Sequence, residues 1–309
     1  MNFLQRTTTV LFALLFPLVL FSQHKKAGPG KKSPWILPVT FDPTAQPEVN
    51  ESTSSYYLLI DEQENTITRE DYNHFAYRIL TNEGLQEMSD LTFEFDPTYQ
   101  EIIFHEVRII RDGQTIDHLS RNIRTVQREQ SMDRYLYDGS LTAIINLQDV
   151  RKGDIIEYSY TLKGYNPVYA GHISRNIYFD YGIGYEKFHR RLILPSGKPH
   201  EIKFFNDKHV DYRKETSSTQ TTYTWTLERR KGIVADDDVP YWYENNRFAS
   251  ISDFRSWKEV AKWANELFLV TAPEQARITS EFEQISKESD LNQYALDAIG
   301  FVQDEVRYL

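Results

Sequence analysis

Eight histidines and no cysteine stand among the 309 residues. Imidazole and carboxylate groups are then the strongest metal ligands on offer, and disulfides, thiolate-held metals and thiol nucleophiles are all excluded. The histidines are scattered, and no HxxxH or HExxH pattern occurs. A metal site would need His105, His118 or His172 to meet carboxylates across the fold; ordinary strand or surface histidines are the simpler reading. Asp236, Asp237 and Asp238 concentrate carboxylate oxygens just before Val239-Pro240. They lack the alternating ligands and glycine of a calcium loop, so an acidic linker is the simpler reading there. Tyr241, Trp242 and Tyr243 could stack on a sugar ring or a partner peptide, or fill a seam between two parts of the fold. Ser196 lies in a Pro-Ser-Gly turn with no GxSxG elbow around it. The acid pairs Asp149/Asp154 and Glu281/Glu283 carry no signature that separates them from surface charge. No cofactor is expected.

Strands must position these residues over most of the chain. Ile156, Tyr158, Tyr160 and Leu162 alternate with Glu157, Ser159 and Thr161, the period of an extended strand. Leu141, Ala143, Ile145 and Leu147 alternate likewise, as do Tyr223, Trp225 and Leu227. Further strands are predicted over 71–80, 91–95, 101–111, 172–181 and 187–194. Turns separate them at Asn82-Glu83-Gly84, Asp112-Gly113, Lys152-Gly153-Asp154, Gly164-Tyr165-Asn166-Pro167 and Pro195-Ser196-Gly197. Closely spaced strands with no helical period between them predict an antiparallel β-sandwich over 56–250. After Ser250 the period changes. Ser256 and Glu259 form a capping box, and Trp257, Val260, Ala261, Ala264 and Phe268 share one helical face. A further helix carries Leu291, Ala295, Ala298, Val302 and Val306. The fold class expected is α+β: an antiparallel β-sandwich followed by a short helical segment.

The net charge of −10 opposes a nucleic-acid partner or a general anionic-membrane binder. The N-terminus reads as a signal peptide over 1–22. Arg6 gives a positive start, Thr7 to Phe21 is an uncharged apolar run, and Leu20 and Ser22 fit the −3 and −1 positions of a cleavage site. That run is short for a membrane span, so no transmembrane segment is expected in the mature chain. The expected location is periplasmic or outer-surface associated. Residues 23–55 read as a basic, Gly/Pro-containing linker and an extended lead-in.

Several segments carry a resemblance. They are Arg78 to Gly84 (RILTNEG), Asp149 to Tyr158 (DVRKGDIIEY), Ser256 to Trp263 (SWKEVAKW) and Phe301 to Leu309 (FVQDEVRYL). Together they resemble exported bacterial transglutaminase-like proteins, in which a β-rich N-terminal domain of unknown function precedes a papain-type core. The resemblance implies that 251–309 is the incomplete helical start of a transglutaminase-like domain. In that family the catalytic Cys, His and Asp follow the segment resembling Phe301–Leu309, so no catalytic residue carries over to this sequence.

Two functions follow as expectations. One is a non-catalytic, exported binding or accessory module that recognises a peptide or cell-envelope polymer. The other is the N-terminal fragment of a cysteine peptidase or transglutaminase. A structural envelope protein is a third possibility; it predicts self-association.

Overall fold

A computed structural model describes residues 27–47, 53–119, 123–127, 139–206, 209–233, 238–240, 243–281, 283 and 290–305. Among these residues fifteen strands precede three α-helices, with one further α-helix among the strands. In order they are β1 (Ala27–Pro29), β2 (Ser55–Asn65), β3 (Glu70–Ile79), α1 (Asn82–Met88), β4 (Asp90–Phe95) and β5 (Glu101–Arg111). Then come β6 (Gln114–Asp117), β7 (Arg124–Val126), β8 (Leu141–Asn146), β9 (Ile155–Lys163), β10 (Ser174–Tyr178) and β11 (Tyr185–Pro195). The chain continues through β12 (Glu201–Phe205), β13 (Arg213–Thr216), β14 (Gln220–Arg230), β15 (Phe248–Ser252), α2 (Trp257–Leu267), α3 (Ala272–Glu281) and α4 (Leu291–Glu305).

The strands form three open sheets. The large one runs β1-β5-β9-β3-β2-β11-β14-β13, with β6 beside β5. The two small sheets run β4-β8-β7 and β10-β15-β12. The pairing is not uniformly antiparallel as expected: β1 runs parallel to β5, and β2 parallel to β11. The second exception joins two parts of the chain that are far apart in sequence.

Alternation builds the cores. Leu91, Phe93 and Phe95 of β4, with Ala143 and Ile145 of β8, pack with Phe104, Val107 and Ile109 of β5 and Ile156 of β9. Phe93 meets Phe104 and Tyr160 edge-on at 4.9 and 4.8 Å, the arrangement favoured by ring quadrupoles. A second core joins Ile177, Ala249 and Ile251 of the other small sheet to Ile60, Phe188, Leu192 and Trp225. The same strands alternate the other way on the far face of the large sheet, where Leu58, Leu59, Ala76 and Ile155 are buried against Val39 and Phe41.

Two local expectations change. Asn82-Glu83-Gly84 opens helix α1 rather than a turn, because Thr81 caps it by accepting a hydrogen bond from the Gly84 N–H at 3.1 Å. Residues 27–46 lie on the large sheet rather than standing off it as a tether. In the helical part, Ser256 caps α2 by accepting from Glu259 N, while the Glu259 carboxylate accepts from Arg255 N at 2.8 Å. Trp263 donates to Val168 O at 2.9 Å and stacks on Tyr169. Much apolar surface on these helices stays open, with Trp257 87% and Leu291 82% exposed. Among the described residues no helix is long and apolar enough to cross a membrane; residues 1–22 lie outside them.

Candidate functional site

One row of polar residues crosses the large sheet in register. Glu106 of β5 pairs with Ser159 of β9, Ser159 with His74 of β3, His74 with Asp61 of β2, and Asp61 with His189 of β11. Glu157, two residues along β9, slants into the row, and Arg108 pairs with it from β5. All these side chains point to the same face because strand residues alternate. Asp61, His74, Ser159, His189 and Glu157 are buried.

The lead-in over 33–44 covers this row as a strap. Its backbone is gripped by side chains rather than by a strand ladder. Gln63 donates to Leu37 O at 2.7 Å and accepts from Leu37 N at 2.9 Å. Arg191 donates to Trp35 O at 2.6 Å, Lys187 donates to Thr40 O at 2.9 Å, and Arg78 donates to Pro43 O. The Trp35 indole N–H bonds to Glu70.

Between strap and sheet lies a cavity of about 760 Å³. Its walls are apolar at Ile36, Val39, Phe41 and Ile155, and its floor carries His74, Glu106, Arg108 and Glu157. His74 Nε2 lies 2.8 Å from Glu157 Oε1. Arg108 grips Glu157 with both arms of its fork, at 2.6 and 2.9 Å. Burial alone would raise the Glu157 carboxyl, but the hydrogen bonds from His74 and Arg108 outweigh it and hold the group below its ordinary range. The same Glu157 bond raises Arg108, whereas burial lowers Arg78. Beyond His74, Asp61 lies 2.7 Å from His189 Nδ1 and accepts from Gln63 at 3.1 Å. The volume suits a small ligand, and an apolar wall over a few convergent polar groups is the usual make-up of a binding pocket.

The opposite face of the large sheet holds a second polar group between the two cores. Glu64 and Asp71 are opposite each other in the β2–β3 register. The Tyr165 hydroxyl donates to Glu64 at 2.8 Å and lies 3.2 Å from Asp71. Arg175 and Arg190 both bond Glu64, at 2.8 and 2.9 Å. Burial first, and the neighbouring Glu64 charge second, push the Asp71 carboxyl up to about 7.

The residues singled out from the sequence do not form this site. His105 bonds Gly30 O and Thr161, His118 is buried elsewhere on the sheet, and His172 lies 3.1 Å from Asp253. Asp149 and Asp154 share Arg111, which ties a turn together. The Ser196 hydroxyl donates to Ser217 O at 2.7 Å. Tyr243 is 53% exposed, and Asp238 is exposed. Tyr241, Trp242, Asp236 and Asp237 lie outside the described residues. Among the described residues, His74, Glu106 and Glu157 are the group of three with donor atoms close enough to share a metal ion, all within 4.8 Å of one another. The alternation of β9 was the signal available for this site. It places Glu157 and Ser159 on one face, but it does not say that the face is covered.

Residues 67–233 match the family model described as a domain of unknown function with a solved structure, DUF3857. No curated protein matches the sequence. Among solved structures, the chain is similar in fold to a candidate protease from Parabacteroides distasonis, with a TM-score of 0.67 at 13% identity. The likeness covers 81% of this chain and 50% of that one, so the chain spans about half the length of that protein. With more than half of its length matched by the family model, the chain belongs to the DUF3857 family.

Proposed function

We propose that the chain is a non-catalytic binding module of an exported transglutaminase-like protein, and that the cavity beneath the strap receives a short extended peptide. The observation that carries this reading is the way the face already holds an extended polypeptide. Arg191, Lys187, Gln63 and Arg78 donate to backbone carbonyls of the strap, while Ile155 and its neighbours take apolar side chains. A cavity with the same mix of groups beside that strap suits a ligand of the same chemistry. Isothermal titration of the mature chain with short peptides and with sugar oligomers tests it. Peptide binding that weakens about tenfold or more in an Ile110→Trp variant, which fills the cavity, is the supporting result. Binding of sugar oligomers alone, or peptide binding indifferent to Ile110→Trp, defeats the reading.

The open apolar faces of α2 and α4 favour a second reading of the C-terminal part, in which these helices begin a catalytic core whose Cys, His and Asp lie beyond residue 309. Trp257 of α2, Phe268 and Leu269 just past its end, and Leu291 and Leu296 of α4 are 63–87% exposed, an unusual loss of burial for large apolar side chains. Reading the gene past codon 309 tests it. A continuing frame with a cysteine-bearing helix supports a core; a stop codon together with a stably folded product removes it.

A further inference from the structure

Asp61, Glu106 and Glu157 meet on one face of the large sheet, where Arg108 bonds Glu157, Lys32 bonds Glu106 and Arg191 faces Asp61. Carboxylates brought together in partly desolvated surroundings are costly unless cations balance them. Lys32 contributes least to the balance. It reaches Glu106 from the strap at 3.1 Å with its side chain 36% exposed. Exchanging Lys32 for a doubly charged ion would set two charges in place of one beside Glu106 and Glu157.

The donor geometry fits the same exchange. His74 Nε2 and one oxygen each from Glu106 and Glu157 lie within 4.8 Å of one another. They come from three neighbouring strands, which fix the spacing of the set. The other His74 nitrogen faces Asp61 at 4.0 Å. A carboxylate behind a ligating imidazole orients the ring and strengthens it as a donor. The cavity gives the group a route to solvent.

We infer that His74, Glu106 and Glu157 form a site for one divalent transition-metal ion, with Zn²⁺ the best match to one imidazole and two carboxylates, and that Lys32 holds the place of the ion until it binds. Bonds to Zn²⁺ of about 2.0–2.2 Å require the three side chains to close inward by small rotations. Glu157 would turn Oε1 to the ion and keep Oε2 on Arg108. This inference goes beyond the peptide reading and stands without it.

The test is calorimetric titration of ZnCl₂ into the metal-free, untagged mature chain, with MgCl₂ as the control. The expected result is one Zn²⁺ per chain, a raised Tm and no Mg²⁺ binding. Glu106→Gln, at a partly exposed position, should weaken Zn²⁺ binding about tenfold or more. Lys32→Ala should tighten it about two- to fivefold, the equivalent of one surface ion pair removed from competition. A purely structural polar row would not respond in that direction. Absence of saturable one-to-one binding overturns the inference. So does binding that neither variant changes. Peptide titrations run with and without Zn²⁺ keep the two proposals apart, since either can fail alone.

Discussion

Glu157 is a carboxylate with 2% of its side chain exposed, yet it is held ionised by His74 and Arg108. Its native pKa lies below its ordinary value of 4.5. The stability it contributes is therefore present above pH 4.5 and is lost as pH falls through the lower native value. Glu157→Gln should destabilise the chain by roughly 2–3 kcal/mol at pH 7, because Arg108 is left uncompensated but is partly solvated. Urea melts between pH 3 and 7 should show the gap between variant and wild type closing on the acid side. Asp71 behaves in the opposite sense. Its carboxyl rises from 3.8 to about 7, so the native state keeps a proton that the unfolded chain has released. Its contribution is complete below pH 3.8 and disappears as pH climbs to about 7. Asp71→Asn keeps a hydrogen-bonding side chain without the titration. Its stability relative to wild type should rise steadily across that window, and a flat difference in urea melts at pH 4, 5.5 and 7 would contradict this.

These groups also mark the limit of what the residues disclosed. The apolar halves of β9, β8 and β14 were legible because a period of two over six or more residues has few other readings. The polar halves were misleading. Glu157, Ser159 and Thr161 have the composition of a solvent-facing side, and they are buried at 2%, 0% and 1% exposure. Nothing local says that residues 33–44 fold back over them, since a segment broken by Pro34, Pro38 and Pro43 has no period of its own. The aromatic and acidic runs at 236–243 were conspicuous in sequence for the opposite reason: clustering along the chain is visible, whereas clustering across strands is not.

Single elements depend on a few positions with no freedom. Gly164 ends β9 at a φ of +106, where a Cβ would sit 1.8 Å from Tyr99 O. Gly164→Ala therefore meets both a left-handed backbone and a backbone clash, and should cost about 2–4 kcal/mol in thermal or urea melts. Helix α2 is less demanding. Ser256 caps it at an exposed end, so Ser256→Ala should cost about 1 kcal/mol of helix stability, read as faster amide exchange over 257–262 with little change in global Tm. Equal exchange in the two proteins would show that packing by Trp263 on Tyr169, and not the cap, holds the helix in place.

At the level of the whole molecule, the strap belongs to the β-rich unit. A chain beginning at residue 53 would uncover Leu58, Leu59 and Ile155 and remove the partners of Gln63, Arg191 and Glu70. It should melt at a lower temperature than one beginning at residue 27, and should bind more of a hydrophobic dye than the longer chain does. Two chains of equal Tm would mean that the strap adds no cover. Residues 257–305 should exchange their amides much faster than the sheets, given how little of the helices is buried.

The parallel pairing of β2 with β11 sets an order of events during synthesis. Strands β2, β3, β5 and β9 are complete once residue 163 has left the ribosome, and they can assemble around Phe93 and Phe104. Strand β2 is then an edge, and it stays one until residues 185–195 arrive. A long, open edge is a template for sticking to other nascent chains. β2 carries Asp61, Glu62 and Glu64 along that edge, and β11 brings His189 and Arg190 to meet them. The charges that end up buried thus guard the half-made sheet first, repelling copies of itself. Arg190 of β11 then meets Glu62 and Glu64, and Arg175 of β10 also meets Glu64, so the charges that keep the open edge apart later tie it to the strands that cover it.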